Sequence, residues 1–240
     1  MKKLHLNLML GLTAICLSTL SSCEFDCVKG SGHQVSETNK VADFNKIKIS
    51  GDFVVNLKQD SSLNVTLTAD DNLLKYIKTE VDDNTLEIKT RRSICSGGRF
   101  VINIGIRNLE KLKSSGAVEI DGDGKITTGD LDIDLSGASK VNLNLNAANV
   151  TTRGSGATEL DLTGQASSHH VKMSGVGKVY AYDFVVGDYE ISTTGAGDCQ
   201  INVLHSLRVH STGASDVKYK GNPSDVTSDK LGAASLEKVN

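Results

Sequence analysis

The middle of the chain reads Ser155-Gly156-Ala157-Thr158-Glu159-Leu160-Asp161-Leu162, and this stretch holds the pattern that decides the fold. A glycine preceded by Ser, Thr or Leu and followed by Ala or Val recurs at nearly constant intervals on both sides of it. The motif glycines are Gly116, Gly137, Gly156, Gly175, Gly195, Gly213 and Gly232. Subtracting their numbers gives separations of 21, 19, 19, 20, 18 and 19 residues. Self-similarity at such a period is typical of a solenoid.

Apolar and polar residues alternate after each glycine. Successive side chains of a strand point to opposite faces, so Leu160 and Leu162 predict an inward face and Asp161 an outward one. The residue four positions after the glycine is apolar in every repeat: Ile120, Val141, Leu160, Val179, Cys199, Val217 and Leu236. The preceding outward positions form a charged column: Glu119, Lys140, Glu159, Lys178, Asp198 and Asp216. No helical period of 3.6 residues competes with this alternation, which predicts an all-β fold.

A period of about 19 residues with short strands and glycine corners predicts a parallel β-solenoid, whose rungs stack about 4.8 Å apart. At a stacked corner, glycine allows a positive φ or a close approach that a side chain would forbid. The alternating charges of the outward column favour a structural role in setting the register of neighbouring strands. A charged strip that binds a ligand is the alternative interpretation.

The solenoid is expected to begin before the first clear motif. Gly51 is followed by Val55 and Leu57 at the spacing of the later apolar columns, and 116 minus 51 leaves 65 residues. That interval has room for about three more turns, which predicts about ten rungs over residues 46–240. Strands are predicted at residues 63–68, 86–90 and 100–106, with a single helical turn within residues 71–77. Residues 28–45 are expected to cover one end of the stack, because open strand edges need a cap.

The N-terminus predicts where the protein is located. Lys2 and Lys3 precede an apolar stretch that is too short to span a membrane and that ends in Leu20-Ser21-Ser22-Cys23. This pattern resembles a bacterial lipoprotein signal, so residues 1–22 are interpreted as a signal peptide, Cys23 as the lipidation site and residues 23–45 as anchor segment and cap. Glu24 after the cysteine resembles outer-membrane sorting. An ordinary cleaved signal, with Cys23 incidental, is the alternative.

Composition favours an extracytoplasmic globular protein. The formal charge is -3, and loss of Lys2 and Lys3 with the signal makes it -3 - 2 = -5. No basic face or interleaved aromatic residues indicate a nucleic-acid partner.

The other cysteines receive separate interpretations. Cys16 leaves with the signal peptide, and Cys199 occupies the inward apolar column, where a free thiol behaves as a small hydrophobe. Cys27 and Cys95 are a candidate disulfide in an oxidising compartment, although spacing alone leaves this open.

The search for chemistry predicts no catalytic, cofactor or metal site. His169 and His170 are adjacent in a strand and should point to opposite sides, which disfavours a shared metal. The pairs Asp70-Asp71 and Asp82-Asp83 fall where turn or capping residues are expected. Tyr180, Tyr182 and Tyr189 cluster within one repeat and could line a patch, although strand packing explains tyrosines equally well.

Several of these segments together resemble the putative auto-transporter adhesin head (GIN) domain family, a domain of unknown function that is common in Bacteroidetes. They are the lipobox, residues 30–32, 44–51, 70–77 and 83–88, and the repeated Ser-Gly-Ala. The resemblance covers roughly residues 40–225. It implies a right-handed parallel β-helix and a cell-envelope location, suggests adhesion, and supplies no catalytic residues.

The sequence therefore favours a lipid-anchored outer-membrane protein that binds a protein or glycan without catalysis and without a cofactor. Whether it is exposed at the cell surface is left open. Homo-oligomerisation is left open. A periplasm-facing structural or assembly factor is the first alternative. A polysaccharide-active β-helix enzyme is the second, disfavoured because the even repeat spacing leaves no long loops to build a cleft and the chain has no Trp.

Overall fold

The computed structural model describes residues 27–97 and 99–240. The predicted signal peptide and the lipidation site Cys23, together with Cys16, lie outside the described residues. Within them the chain is all-β, and its one helical element is a short 3₁₀ turn, Leu74–Tyr76. This turn lies inside the segment for which the sequence predicts a single helical turn.

Twelve strands make up the described part of the chain. They are β1 Val28–Lys29, β2 Gln34–Lys40, β3 Lys46–Gln59, β4 Asn64–Asp70, β5 Ile77–Asp82, β6 Thr85–Thr90, β7 Ile94–Ser96, β8 Val101–Ile106, β9 Lys111–Thr127, β10 Asp130–Lys220, β11 Asp225–Gly232 and β12 Ser235–Lys238. A mixed sheet has the order β11-β10-β9-β3-β8-β4-β2, with β12 on β10 and with β6 joining β3 to β5. Strands β1 and β7 form a separate parallel pair.

The C-terminal half is built by parallel pairing in register at an offset of one repeat. Gly116 of β9 lies opposite Gly137 of β10, and Gly213 lies opposite Gly232 of β11. Within β10 the glycines also meet, because a Cβ added to Gly156 would lie 2.6 Å from the carbonyl oxygen of Gly137. Strand β10 is therefore not straight: it turns at each glycine, and its repeats stack as layers.

The motif glycines adopt the backbone conformation that the sequence predicts for stacked corners. All seven have positive φ, from 84° at Gly137 to 129° at Gly213. In this region a β-carbon is sterically disfavoured. The prediction of constrained glycine corners is confirmed.

The core fills the space inside the stacked layers, and the predicted inward columns are confirmed. Ile120, Val141, Leu160, Val179 and Cys199 are each at most 1% exposed. Leu236, in the terminal layer, is only partly buried. Each fully buried aliphatic side chain contributes about 1.5 to 3 kcal/mol through the hydrophobic effect, so these columns supply much of the stability of the stack.

The prediction of about three turns between Gly51 and Gly116 is wrong. The predicted count of about ten rungs includes these turns and is therefore not confirmed. Gly51 of β3 lies directly opposite Gly116 of β9. The intervening residues contribute one parallel layer, β6 and β8, which pairs with the other edge of β3. The remaining strands of the interval run antiparallel, β5 on β6 and β4 on β8. In the N-terminal part of the stack, the layers therefore do not follow one another in sequence order, because β3 lies between the layer of β6 and β8 and the layer of β9.

A tight hairpin explains why this region leaves the parallel pattern. Asp83 and Asn84 connect β5 to β6, and both have positive φ, 44° and 56°. Two residues with positive φ are typical of the turn that joins antiparallel strands. The strands predicted at residues 63–68, 86–90 and 100–106 correspond to β4, β6 and β8. The sequence places them in further turns of the parallel stack, and β6 and β8 do pair parallel with β3, but β4 runs antiparallel to β8, so the predicted direction of β4 is wrong.

The N-terminal segment is held against this antiparallel region by polar contacts. Buried Asp70 accepts a hydrogen bond from the backbone N–H of Gly32 at 2.9 Å, and Asp71 accepts one from the Ser31 hydroxyl at 2.6 Å. Hydrogen bonds from the Ser31 hydroxyl and from the backbone N–H of Asn72 lower the pKa of Asp71. A disulfide joins Cys27 to Cys95, with Cα atoms 5.2 Å apart. The N-terminal segment is thereby tied to β7, the strand that precedes β8.

We expect the stacked glycines to be intolerant of any side chain. Gly156→Ala should destabilise the protein by about 3 kcal/mol, because it combines a strained backbone with overpacking. Gly124→Ala should cost about 1 kcal/mol, because Gly124 has φ of 90° but open space around its Cα. Gly129→Ala should be neutral or stabilising, because the φ of Gly129 is not positive and its Cβ would meet open space. Urea unfolding followed by circular dichroism measures all three, and equal loss at Gly156 and Gly124 would contradict close stacking.

Candidate functional site

Outward side chains of the stacked layers form two charged rows, of which the sequence predicted one. In the predicted column, Lys140 contacts Glu159 at 3.0 Å, and this hydrogen bond raises the pKa of Lys140. The second row lies before the glycines, where Asp134 contacts both Lys111 and Arg153 at 3.2 Å. Partial burial alone would raise the pKa of Asp134, but hydrogen bonds from the two cations outweigh it and lower the pKa.

These contacts favour the structural interpretation of the charges. Each salt bridge joins residues of neighbouring layers, and the second row could have been found in the sequence by reading the alternation backwards from each glycine. Exposed ion pairs stabilise proteins weakly, by about 0 to 1 kcal/mol each. We therefore assign these three ion pairs to register between layers.

An open groove with a volume of about 580 Å³ lies at one corner of the stack and is lined by residues that include Asn108, Thr128, Asp130 and Asn149. The sequence predicts no cleft built from long inserted loops, and this groove lies between neighbouring layers. The Thr128 hydroxyl donates to Asn108 at 3.0 Å, and the Asn149 amide donates to Asp130 at 2.7 Å. The polar groups of the groove are thus largely engaged in bonds between layers.

The structure separates the three clustered tyrosines. Tyr189 is buried, 1% exposed, which agrees with the strand-packing interpretation for this residue. Tyr180 and Tyr182 are half-buried on the outward face of one layer. The Lys220 ammonium lies 4.7 Å from the centre of the Tyr182 ring, and burial raises the pKa of Tyr182.

A chain of polar side chains crosses the core in place of aliphatic ones. His169 is fully buried, with Nε2 at 2.9 Å from the Thr152 hydroxyl and Nδ1 at 3.0 Å from the Tyr189 hydroxyl. The three residues belong to three successive layers. Burial lowers the pKa of His169 to about 3, so the imidazole is neutral at physiological pH. Hydrogen bonds at both ring nitrogens satisfy a group that would otherwise be costly to bury.

The prediction that the side chains of the two adjacent histidines point to opposite sides of the strand is confirmed. His169 points into the core, whereas exposed His170 contacts Glu190 at 3.1 Å. His205 is also exposed, and His210 contacts Asp229 at 3.2 Å. Over residues 27–97 and 99–240, no three or more His, Cys, Asp or Glu side chains are grouped so that they could hold a metal ion.

The pairs of neighbouring aspartates serve the fold. Asp70 and Asp71 hold the N-terminal segment, and Asp82 and Asp83 lie at the β5–β6 hairpin.

Cys199 is buried, and burial raises the pKa of its thiol to about 12, so it is a thiol rather than a thiolate. In the part of the chain that the structure describes, no helix is long and apolar enough to cross a membrane.

Comparison with known proteins identifies a family that matches the chain and solved structures with a similar fold. A family model described as "Putative auto-transporter adhesin, head GIN domain" matches residues 43–223. No curated protein matches the chain. A putative adhesin from Bacteroides fragilis has a similar crystal structure, with a TM-score of 0.84 and 24% identity over 88% of this chain and 100% of that one.

Two structures from Parabacteroides distasonis are also similar. A putative adhesin shares 23% identity over 89% of this chain and 100% of its own, with a TM-score of 0.72. A putative lipid binding protein shares 19% identity over 89% of this chain and 99% of its own, with a TM-score of 0.70. At these identities the likeness concerns the fold.

We expect His169 to make the protein sensitive to acid. Its pKa falls from 6.5 to about 3 on folding, so the unfolded state binds the additional proton. Lowering the pH from 6.5 towards 3 should therefore reduce the free energy of unfolding by up to about 1.4 kcal/mol per pH unit. His169→Gln should flatten this dependence between about pH 7 and pH 5, because the amide can hydrogen-bond without titrating.

The measurement is urea unfolding of the wild type and of the variant at several pH values. His170→Gln is the matched control, because it removes the adjacent exposed imidazole and should leave the steep dependence in place. Parallel curves for the wild type and His169→Gln would contradict a neutral buried imidazole.

Proposed function

The chain belongs to the family of putative auto-transporter adhesin head (GIN) domains, and from this membership we propose that it is a lipid-anchored cell-envelope protein that binds a partner without catalysis. The match over residues 43–223 carries the proposal. The regular outward faces of the stacked layers support it, because a rigid scaffold presents its surface side chains in fixed positions. The similar structures, named as adhesins or as a lipid binding protein, are consistent with a binding role.

The architecture that we propose for this role is a right-handed parallel β-helix. Its support is the in-register parallel pairing of successive repeats and the contact between successive motif glycines. Strands joined by crossovers within one sheet are almost always connected with right-handed sense. In this proposal the layers comprise residues 46–59, 85–90, 101–106 and 111–238, and the ten rungs that the sequence predicts are not retained.

The anchor that we propose is a lipid on Cys23, in the outer membrane and with the β-domain at the cell surface. The lipobox sequence before Cys23 supports this, as does Glu24 after it. The disulfide between Cys27 and Cys95 is in keeping with an oxidising compartment outside the cytosol. Because multiple acyl chains bury many methylene groups, such an anchor holds a protein on a membrane without a spanning helix.

Fractionation and surface digestion of living cells test this proposal together. The wild type should incorporate a radiolabelled fatty acid, remain with the outer membrane and be digested by protease added to intact cells. Cys23→Ala should lose the label and the membrane association. Cys16→Ala is the matched control, because it removes a cysteine of the predicted signal peptide and should behave as the wild type does.

Two results would overturn parts of the proposal. Fatty-acid incorporation that persists in Cys23→Ala would refute the anchor. Complete protection from protease until the outer membrane is opened would place the domain in the periplasm, where a role in envelope structure or assembly would replace surface binding.

A further inference from the structure

Two tyrosines occupy outward positions on the face that follows the motif glycines. Tyr180 and Tyr182 are two residues apart in one layer, so their side chains share a face about 7 Å apart. The next layer places Gln200 and Asn202 beside them, and the Asn202 amide donates to the backbone oxygen of Tyr182 at 3.1 Å. We call Tyr180, Tyr182, Gln200 and Asn202 the tyrosine panel.

The fold itself does not require aromatic side chains at these positions. The equivalent outward positions of the two preceding layers are occupied by short polar residues: Asn142, Asn144, Asp161 and Thr163. Both rings are only partly buried, and neither phenolic oxygen is hydrogen-bonded to another residue in the described ranges 27–97 and 99–240. The two hydroxyls and the Tyr180 ring are therefore available to a ligand, whereas Lys220 lies over the Tyr182 ring.

Charges of both signs surround the panel. The cations Lys178, Lys218 and Lys220 share this face with the carboxylates Glu159, Asp161, Asp198, Asp216 and Glu237. Burial has the largest effect on the pKa of Tyr182 and raises it; Lys218 lowers this pKa, and Asp198 and Glu237 raise it, so both signs of charge act at the same phenol. Because the carboxylates outnumber the cations, this surface does not attract a polyanion, and an uncharged ligand rich in hydroxyl groups can hydrogen-bond to the cations and to the carboxylates.

We propose that the tyrosine panel binds a neutral oligosaccharide. Aromatic faces bury the apolar C–H surface of sugar rings, while the phenols, amides and carboxylates exchange hydrogen bonds with the sugar hydroxyls. An extended peptide is a poorer fit, because peptides commonly bind by adding a strand to a free sheet edge. The layer that carries the tyrosines has a neighbouring layer on each side, since Gly175 contacts both Gly156 and Gly195.

The Lys220 ammonium covers one of the two rings. It lies 4.7 Å from the centre of the Tyr182 ring, and a cation–π contact at an exposed site is weak. A sugar can therefore displace the lysine. Lys220→Ala should leave the binding of a neutral sugar unchanged or strengthen it, whereas it would weaken an acidic sugar that relied on the ammonium.

Titration with defined sugars tests the proposal, which rests on the proposed binding function and specifies its ligand class. The probes are hexasaccharides of glucose, galactose, mannose and N-acetylglucosamine, with a galacturonic acid hexasaccharide and a proline-rich peptide for comparison. Binding is followed by calorimetry and by tyrosine fluorescence, because the chain contains five tyrosines and no tryptophan. At least one neutral sugar should bind and change the fluorescence.

Substitutions locate the site. Tyr182→Ala and Tyr180→Ala should each weaken binding of that sugar about tenfold through loss of the aromatic face. Tyr182→Phe should retain most of the affinity, because the ring remains. Asn142→Ala is the matched control on the same face outside the panel, and unfolding curves confirm that each variant is folded.

The outcomes separate the ligand class from the general function. Failure of every neutral sugar to bind at millimolar concentration overturns the proposal, as does selective binding of the acidic sugar or of the peptide. Sugar binding that is unaffected by both tyrosine substitutions also overturns it. If the protein is digested at the surface of intact cells but binds none of the sugars, the proposed surface location is retained and sugar binding by the tyrosine panel is refuted.

Discussion

Close contact between glycine backbones of successive layers is the constraint on which this structure depends. A Cβ added to Gly137, Gly156, Gly175 or Gly195 would lie 2.5 to 2.7 Å from the carbonyl oxygen of the glycine one layer before. This approach leaves no room for a side chain, and the positive φ at each position independently favours glycine. With the corner fixed in this way, the residues on both sides of it fall into register, and inward residues meet inward residues in every layer.

This dependence explains what the sequence could predict. The glycine corners and the alternation after them are local patterns, and a local pattern that repeats seven times specifies both the buried columns and the pairing offset. The interval between Gly51 and Gly116 could not be placed in the same way. Its strands are recognisable, but whether β8 pairs with β3 or with a later layer depends on contacts between distant residues. The sequence pair Asp83-Asn84 is a local indication of a turn between two strands. In the structure both residues have positive φ, as in an antiparallel hairpin.

The buried polar chain shows a second limit of the same kind. His169 stands at a core position, and its partners Thr152 and Tyr189 are 17 and 20 residues away in sequence. Each partner alone is an ordinary strand residue, and their relation becomes visible only when three layers are superimposed. Stacking converts a separation of one repeat into contact, so a sequence search for polar networks in such a protein should compare positions across repeats.

The same geometry separates the residues that hold the fold from those that are free to bind. An inward side chain is fixed by neighbours in the layers before and after it, so a change there disturbs the stack. An outward side chain has solvent on one side and contacts its neighbours mainly through weak ion pairs, such as Lys140 with Glu159. Tyr180 and Tyr182 depart from the short polar residues of the preceding layers at the positions where the stack tolerates departure. A scaffold of this kind can therefore acquire a binding surface by outward substitution alone, without inserted loops and without changing the interval between its glycines.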